Sequence, residues 1–209
     1  GGGVYGGMRH DCILTDKFTS GAGGGECNSW LYNCNLKNNG AREGGGASIS
    51  TLSNCNLANN WATYGGGASS STVFNCFLKQ NEASTGGGAY DCVLYSSALI
   101  ENIGTQYSGG GARNSTLYNC TVIGNRMIAD LEGYGPSVNQ GGGVSWCDVF
   151  NSIVYYNMAS AGANYETDGW GSSSFSNCCT WPLPFGEGNF TNAPGLAGID
   201  NPRLIHNSP

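Results

Sequence analysis

Residues 44–83 read GGGASISTLSNCNLANNWATYGGGASSSTVFNCFLKQNEA, two near-copies placed 21 residues apart. The same glycine triplet opens at Gly1, Gly23, Gly44, Gly65, Gly86, Gly109 and Gly141. A fixed period of about 21 residues marks a solenoid, one supersecondary unit stacked on copies of itself.

Columns emerge when each repeat is counted from its first glycine. Eight residues on stand Arg9, Leu31, Leu52, Val73, Leu94, Leu117 and Val149. Eleven on stand Cys12, Cys34, Cys55, Cys76, Ser97, Cys120 and Ser152, and thirteen on Leu14, Leu36, Leu57, Leu78, Leu99, Val122 and Val154. Three on the column is mostly Ala, and six on it is mostly Ser. The pairs six–eight and eleven–thirteen alternate by two, which is strand periodicity, whereas a helix needs a spacing of three or four. Three short strands per repeat, joined by turns, predict an all-β parallel β-helix of about seven to eight rungs. The right hand is expected, because parallel crossovers strongly prefer it.

Two Asn columns fit turns. Ten on come Asn33, Asn54, Asn75, Asn119 and Asn151, and sixteen on Asn39, Asn60, Asn81, Asn102, Asn125 and Asn157. Asn tolerates the left-handed region and bonds locally to the backbone. Both columns are expected to form amide ladders along the axis, which makes Asn119 a poor glycosylation acceptor in spite of its sequon. The thiols Cys12, Cys34, Cys55, Cys76 and Cys120 are expected in the core as small apolar groups. Cys27, Cys92, Cys147, Cys178 and Cys179 lie off that column, and the sequence cannot pair them.

The sixth repeat is longer by about eleven residues, with the excess near Met127–Gln140 expected as a surface loop. The pattern stops after Trp181, and Pro182, Pro184, Pro194 and Pro202 interrupt the remainder of the chain. Residues 1–181 are therefore read as repeats and 182–209 as an irregular cap over the end of the core.

Composition excludes several function classes. Only 11% of the 209 residues are charged, the net charge is −6 and eight residues are Lys or Arg. Nucleic acid needs clustered basic side chains, and an anionic membrane surface needs them too. No run approaches the ~18 apolar residues of a membrane span. Disorder is excluded as well, since 39% of residues are hydrophobic and fall at fixed offsets. The chain opens inside a repeat without Met or signal peptide, and it is read as a mature or excised piece of a longer precursor.

Catalytic and metal motifs are not found in the sequence: no G-x-S-x-G, H-E-x-x-H or P-loop. Asp16 and Glu101 share a column, but at roughly 19 Å by strand spacing, too far apart for a glycosidase pair. Glu82, Glu101 and Lys79 are read as a solvated charge cluster, and Thr51, Thr72 and Thr116 are too broken an array for ice binding. No cofactor and no metal is expected. The suggestive column lies nine on: His10, Tyr32, Ser53, Phe74, Tyr95, Tyr118 and Phe150. By alternation it faces away from the core, an aromatic stripe suited to sugar rings or to another protein.

The pattern GGG-A-x(3)-S-T-L-x-N-C-x-L-x(2)-N-x-A, with SNCCTWPLP at 176–184 and RLIHNSP at the end, resembles the secreted right-handed parallel β-helix repeat proteins of bacteria. These are related in style to polymorphic outer-membrane proteins and autotransporter passengers. The resemblance implies an extracellular or cell-surface location and no particular catalytic residue. The expected function is thus a non-catalytic rod, a surface adhesin or an envelope or filament component. A polysaccharide-binding or lyase-type β-helix protein is the alternative. Expected partners are a surface protein, a polysaccharide, or another copy stacked end to end.

Overall fold

The computed structural model describes residues 2–128, 140–166, 172–199, 202, 204, 205 and 208. Most of the long insertion lies outside the described residues. The chain is an all-β parallel solenoid of about six turns, and no described residue is helical.

The coil that begins at Gly44 shows the construction. It contains four short strands, Ala47–Ser48, Thr51–Ser53, Asn56–Ala58 and Trp61–Tyr64. The chain turns between them at Ile49, Asn54, Asn59 and Gly65, whose φ angles are 52°, 54°, 53° and 62°. There are thus four strands per coil rather than three. They form three sheets, because the first two segments of each coil share one sheet through the unbroken strand Glu26–Tyr32. Among the described residues that sheet has thirteen strands, the second has eight and the third five. The count of about six turns, against seven to eight expected, follows from the ends. There the second sheet continues while the third gives way to single bridges such as Phe18↔Gly40 and Arg126↔Met158.

Register is strict. Leu57 pairs with Leu36 on one side and Leu78 on the other, so identical columns stack and the interior is a set of ladders. Leu36, Leu52, Leu57, Leu78, Leu94, Leu99 and Leu117 are fully buried. The glycine triplet serves two needs. Gly65 takes the left-handed corner, while a Cβ on Gly66 would lie 2.4 Å from the Glu82 carbonyl and 2.5 Å from that of Gly87. The coils approach here backbone to backbone.

The residue after each of the corners at Ile49, Asn54 and Asn59 turns its N–H inward, out of the sheet ladder, and such a buried donor needs a partner. The side chain at the same position one coil on supplies it. Ser50 N donates to Ser71 Oγ (3.0 Å), Cys55 N to Cys76 Sγ (3.2 Å) and Asn60 N to Asn81 Oδ1 (3.0 Å). The hydroxyl or thiol donates back to the carbonyl two residues earlier, as Ser71 to Ser69 O (2.8 Å) and Cys76 to Phe74 O (3.1 Å). Ser and Cys are interchangeable in this role. Ser97 and Ser152 stand in the Cys column, and Cys92 and Cys147 stand in the Ser column.

The two Asn columns separate. Asn39, Asn60, Asn81, Asn102, Asn125 and Asn157 are buried, each amide bonded to the next, as Asn60 Nδ2 to Asn81 Oδ1 at 2.9 Å. Asn33, Asn54, Asn75, Asn119 and Asn151 instead occupy the corners themselves, with positive φ and exposed side chains. They are turn formers and not an inward ladder, because the inward side chain is the one just after the corner. Asn119 is therefore exposed, contrary to expectation. In the column before Asn39, the corners are Asp16, Asn38, Asn59, Gln80 and Glu101.

After Cys179–Thr180 the described chain has no strand, only bridges such as Cys179↔Phe190 and Leu196↔Leu204. Asn177 N donates to Glu187 O and Cys178 N to Asn189 Oδ1. Residues 187–190 thereby occupy the last strand edge, and simple rung-on-rung continuation is closed at that end.

Candidate functional site

The aromatic column lies on the outer face of the thirteen-stranded sheet. Phe74, Tyr95, Tyr118 and Phe150 are paired in register on successive strands. Their rings stack at 4.9, 5.1 and 5.0 Å with interplanar angles of 7°, 9° and 11°. All four are half-buried. His10 and Tyr32 form a separate, tilted pair at 5.6 Å and 49°. The stacking changes what this stripe can do. Ring faces are turned to one another along the axis and only edges look outward, whereas a sugar stacks on a face.

One rung is missing from the ladder. Ser53 pairs with Tyr32 on one side and Phe74 on the other, so these two rings stand two strand spacings apart, about 9.6 Å. A cavity of about 310 Å³ opens there, lined by Met8, Trp30, Tyr32, Thr51, Ser53 and Phe74, with His10 also on its wall. Trp30 and Tyr32 are largely exposed. A second hollow, of about 280 Å³, is polar and involves Arg42, Glu43, Tyr64, Ser70 and Tyr90.

Among the described residues the acidic side chains do not converge. Glu101 accepts from Gln80 Nε2 (3.0 Å) and pairs with Lys79 Nζ at 3.8 Å on the surface. Among the described residues no group of three His, Cys, Asp or Glu side chains is placed to hold a metal ion. His206 lies outside the described residues.

Two carboxylates are buried in the stack. Glu26 interrupts the Ala column three residues on, and that interruption is the signal that marks it. It is fully buried, accepts from Ser29 Oγ (2.7 Å) and faces Arg9 Nη2 at 3.6 Å. Burial raises its pKa above the ordinary carboxylate range, opposed by Ser29 and Arg9. Glu166 accepts from Trp146 N (2.7 Å) and Ser173 Oγ (2.9 Å), and burial raises its pKa as well. Both bond internally.

All ten cysteines are free, and every one but Cys12 is buried. Burial pushes the thiols of Cys92 and Cys147 up to about 12 and that of Cys120 to about 11. Thiols held neutral are poor nucleophiles, so Cys92, Cys120 and Cys147 pack and hydrogen-bond. Denaturation without reductant is expected to expose ten titratable thiols, while the native protein reacts slowly at all but Cys12. A total short by two or more would mean that the cysteines include a disulfide.

No known protein family matches the chain, and no curated protein does. Among solved structures, the full-length plasmid-mediated fluoroquinolone resistance protein QnrB1 aligns at 10% identity and a TM-score of 0.25, covering 82% of this chain and 83% of that one. A trypsin-treated form of QnrB1 aligns at 15% identity and a TM-score of 0.17, over 79% of this chain and 92% of the other. Likeness at this level carries no argument about function. Among the described residues no helix is long and apolar enough to cross a membrane.

Proposed function

We propose that this chain is a non-catalytic rod of an extracellular or cell-surface assembly, in the manner of the bacterial β-helix repeat proteins its sequence resembles. The observation that supports this most is where the reactive side chains go. The inward Asn amides bond to one another coil to coil, and Ser hydroxyls and thiols such as Ser71 and Cys76 accept from the preceding coil. What reaches solvent is a regular, stiff outer surface carrying an aromatic ladder. Such an object holds partners at fixed distances along its length and turns nothing over. The polysaccharide reading draws less from this ladder, because its ring faces are covered by one another.

Location is tested by labelling intact cells of the organism that carries the gene with an antibody to this chain. Labelling of unpermeabilised cells is expected. Labelling only after permeabilisation would overturn the surface assignment.

A further inference from the structure

Along the aromatic column, the face of Phe74 that Tyr95 does not cover looks along the axis toward Tyr32, across Ser53. The four stacked rings repeat every 4.9–5.1 Å, so a gap of two strand spacings, about 9.6 Å, has room for one more flat ring at the same spacing from each neighbour. Trp30 and Met8 close the side of this slot, which makes it a place for an apolar ring.

The same chain carries a ring without a place. Phe185 is fully exposed, and Trp181 and Leu183 beside it are largely exposed. Yet this segment is fixed. Asn164 Nδ2 donates to Trp181 O (2.8 Å), Tyr165 Oη to Pro182 O (3.0 Å) and Asn189 Nδ2 to Phe185 O (3.3 Å). Pro182 and Pro184 restrict it further. An anchored hook with its ring already extended loses little freedom on docking. Phe185 cannot reach the slot of its own molecule. Residues 187–190 lie against the last strands, Ser174–Ser176 and Cys179–Thr180, five rungs from Ser53, about 24 Å along the axis.

We infer that Phe185 of one copy inserts between Tyr32 and Phe74 of a second copy, joining the rods head to tail. The inference rests on the rod reading and names its partner as another copy of this chain. The contact is heterologous: each molecule keeps a free hook at one end and a free slot at the other, so association propagates. This differs from stacking coil on coil, which residues 187–190 obstruct.

Sedimentation velocity over a concentration series tests it with three proteins: wild type, Phe185→Ala and Ser53→Phe. Wild type is expected to form dimers and longer species at hundreds of micromolar. Each variant alone is expected to weaken association at least about tenfold, with an unchanged melting profile, since both positions are on the surface. Ser53→Phe fills the slot with its own ring. The decisive sample is the mixture of the two variants. Phe185→Ala keeps a slot and Ser53→Phe keeps a hook, so together they give one-to-one dimers that do not extend. Monomeric wild type near 1 mM, wild-type-like association of either variant, or a mixture without dimers each overturns the hook-and-slot contact. So does protection of Trp30 fluorescence from quenching by a neutral glycan with no self-association. Any of these leaves the rod reading to be decided by surface labelling.

Discussion

Replacing Leu57 by Asp is expected to abolish folding. Leu57 sits in the middle of the stack, fully buried, between Leu36 and Leu78. No basic side chain stands in its column, so the carboxylate meets neither water nor a counter-charge. An uncompensated buried charge costs several kcal/mol, and a domain's whole stability is about 5–15 kcal/mol. Position adds to the effect. In a solenoid each coil is held by its two neighbours, so one broken interface in the middle leaves two short stacks with open ends. Circular dichroism on heating is the measurement: loss of a cooperative transition, or insolubility, is the expected outcome. A soluble variant melting like wild type would show that the Leu57 column faces out. Leu57→Ala, which removes bulk without adding charge, is expected to remain folded with a loss of about 2–5 kcal/mol.

Asn81→Asp is the second large effect, and it carries a pH signature. Asn81 Oδ1 accepts from Asn60 N (3.0 Å) and Asn60 Nδ2 (2.9 Å), while its Nδ2 donates to Leu57 O (2.9 Å) and Asn102 Oδ1 (3.0 Å). Aspartate keeps the shape and the acceptor but loses both donors, and it sets a carboxylate against two oxygens. At pH 7 the loss is expected to be about 3–5 kcal/mol. Burial and the facing oxygens raise the carboxyl's folded-state pKa above its unfolded value of about 3.9. The folded state thus holds the proton more tightly. Stability relative to wild type is best at low pH, where the carboxylic acid can donate one bond, and is lost as pH rises through the raised pKa. Urea unfolding at several pH values reads this directly. Asn81→Ala, which cannot titrate, is expected to be destabilised by a similar amount at every pH. A stability difference between the Asn81→Asp variant and wild type that does not change with pH would mean that this amide is not buried in the ladder.

The glycine triplets and the two-residue alternation of Leu with Cys or Ser were enough to read a parallel solenoid and its inward columns from the chain. Repetition is what made this legible. In a stack held at register, each residue's neighbours are the same residue of the next coil, so local pattern and tertiary contact coincide. The same logic explains the off-column cysteines. Cys92 and Cys147 look misplaced until the corners that Ser and Cys serve are seen to need one inward acceptor each, a task that the two residues share. The number of strands was less legible. The corner between Ala47–Ser48 and Thr51–Ser53 is made at Ile49, a β-branched residue that does not announce a left-handed turn.

The sequence by itself determined the period, the parallel stacking, the core columns and the outward line of aromatic rings. Only the tertiary structure decided which Asn of each coil turns in, because the choice rests on φ at the preceding corner. Only it showed Glu26 and Glu166 as buried carboxylates, and the aromatic rings as face-to-face stacks with one opening at Ser53. Side-chain period tells which face of a strand a residue takes. It does not fix the tilt of a ring or the reach of a carboxylate, which depend on atoms brought alongside from coils 21 or more residues away.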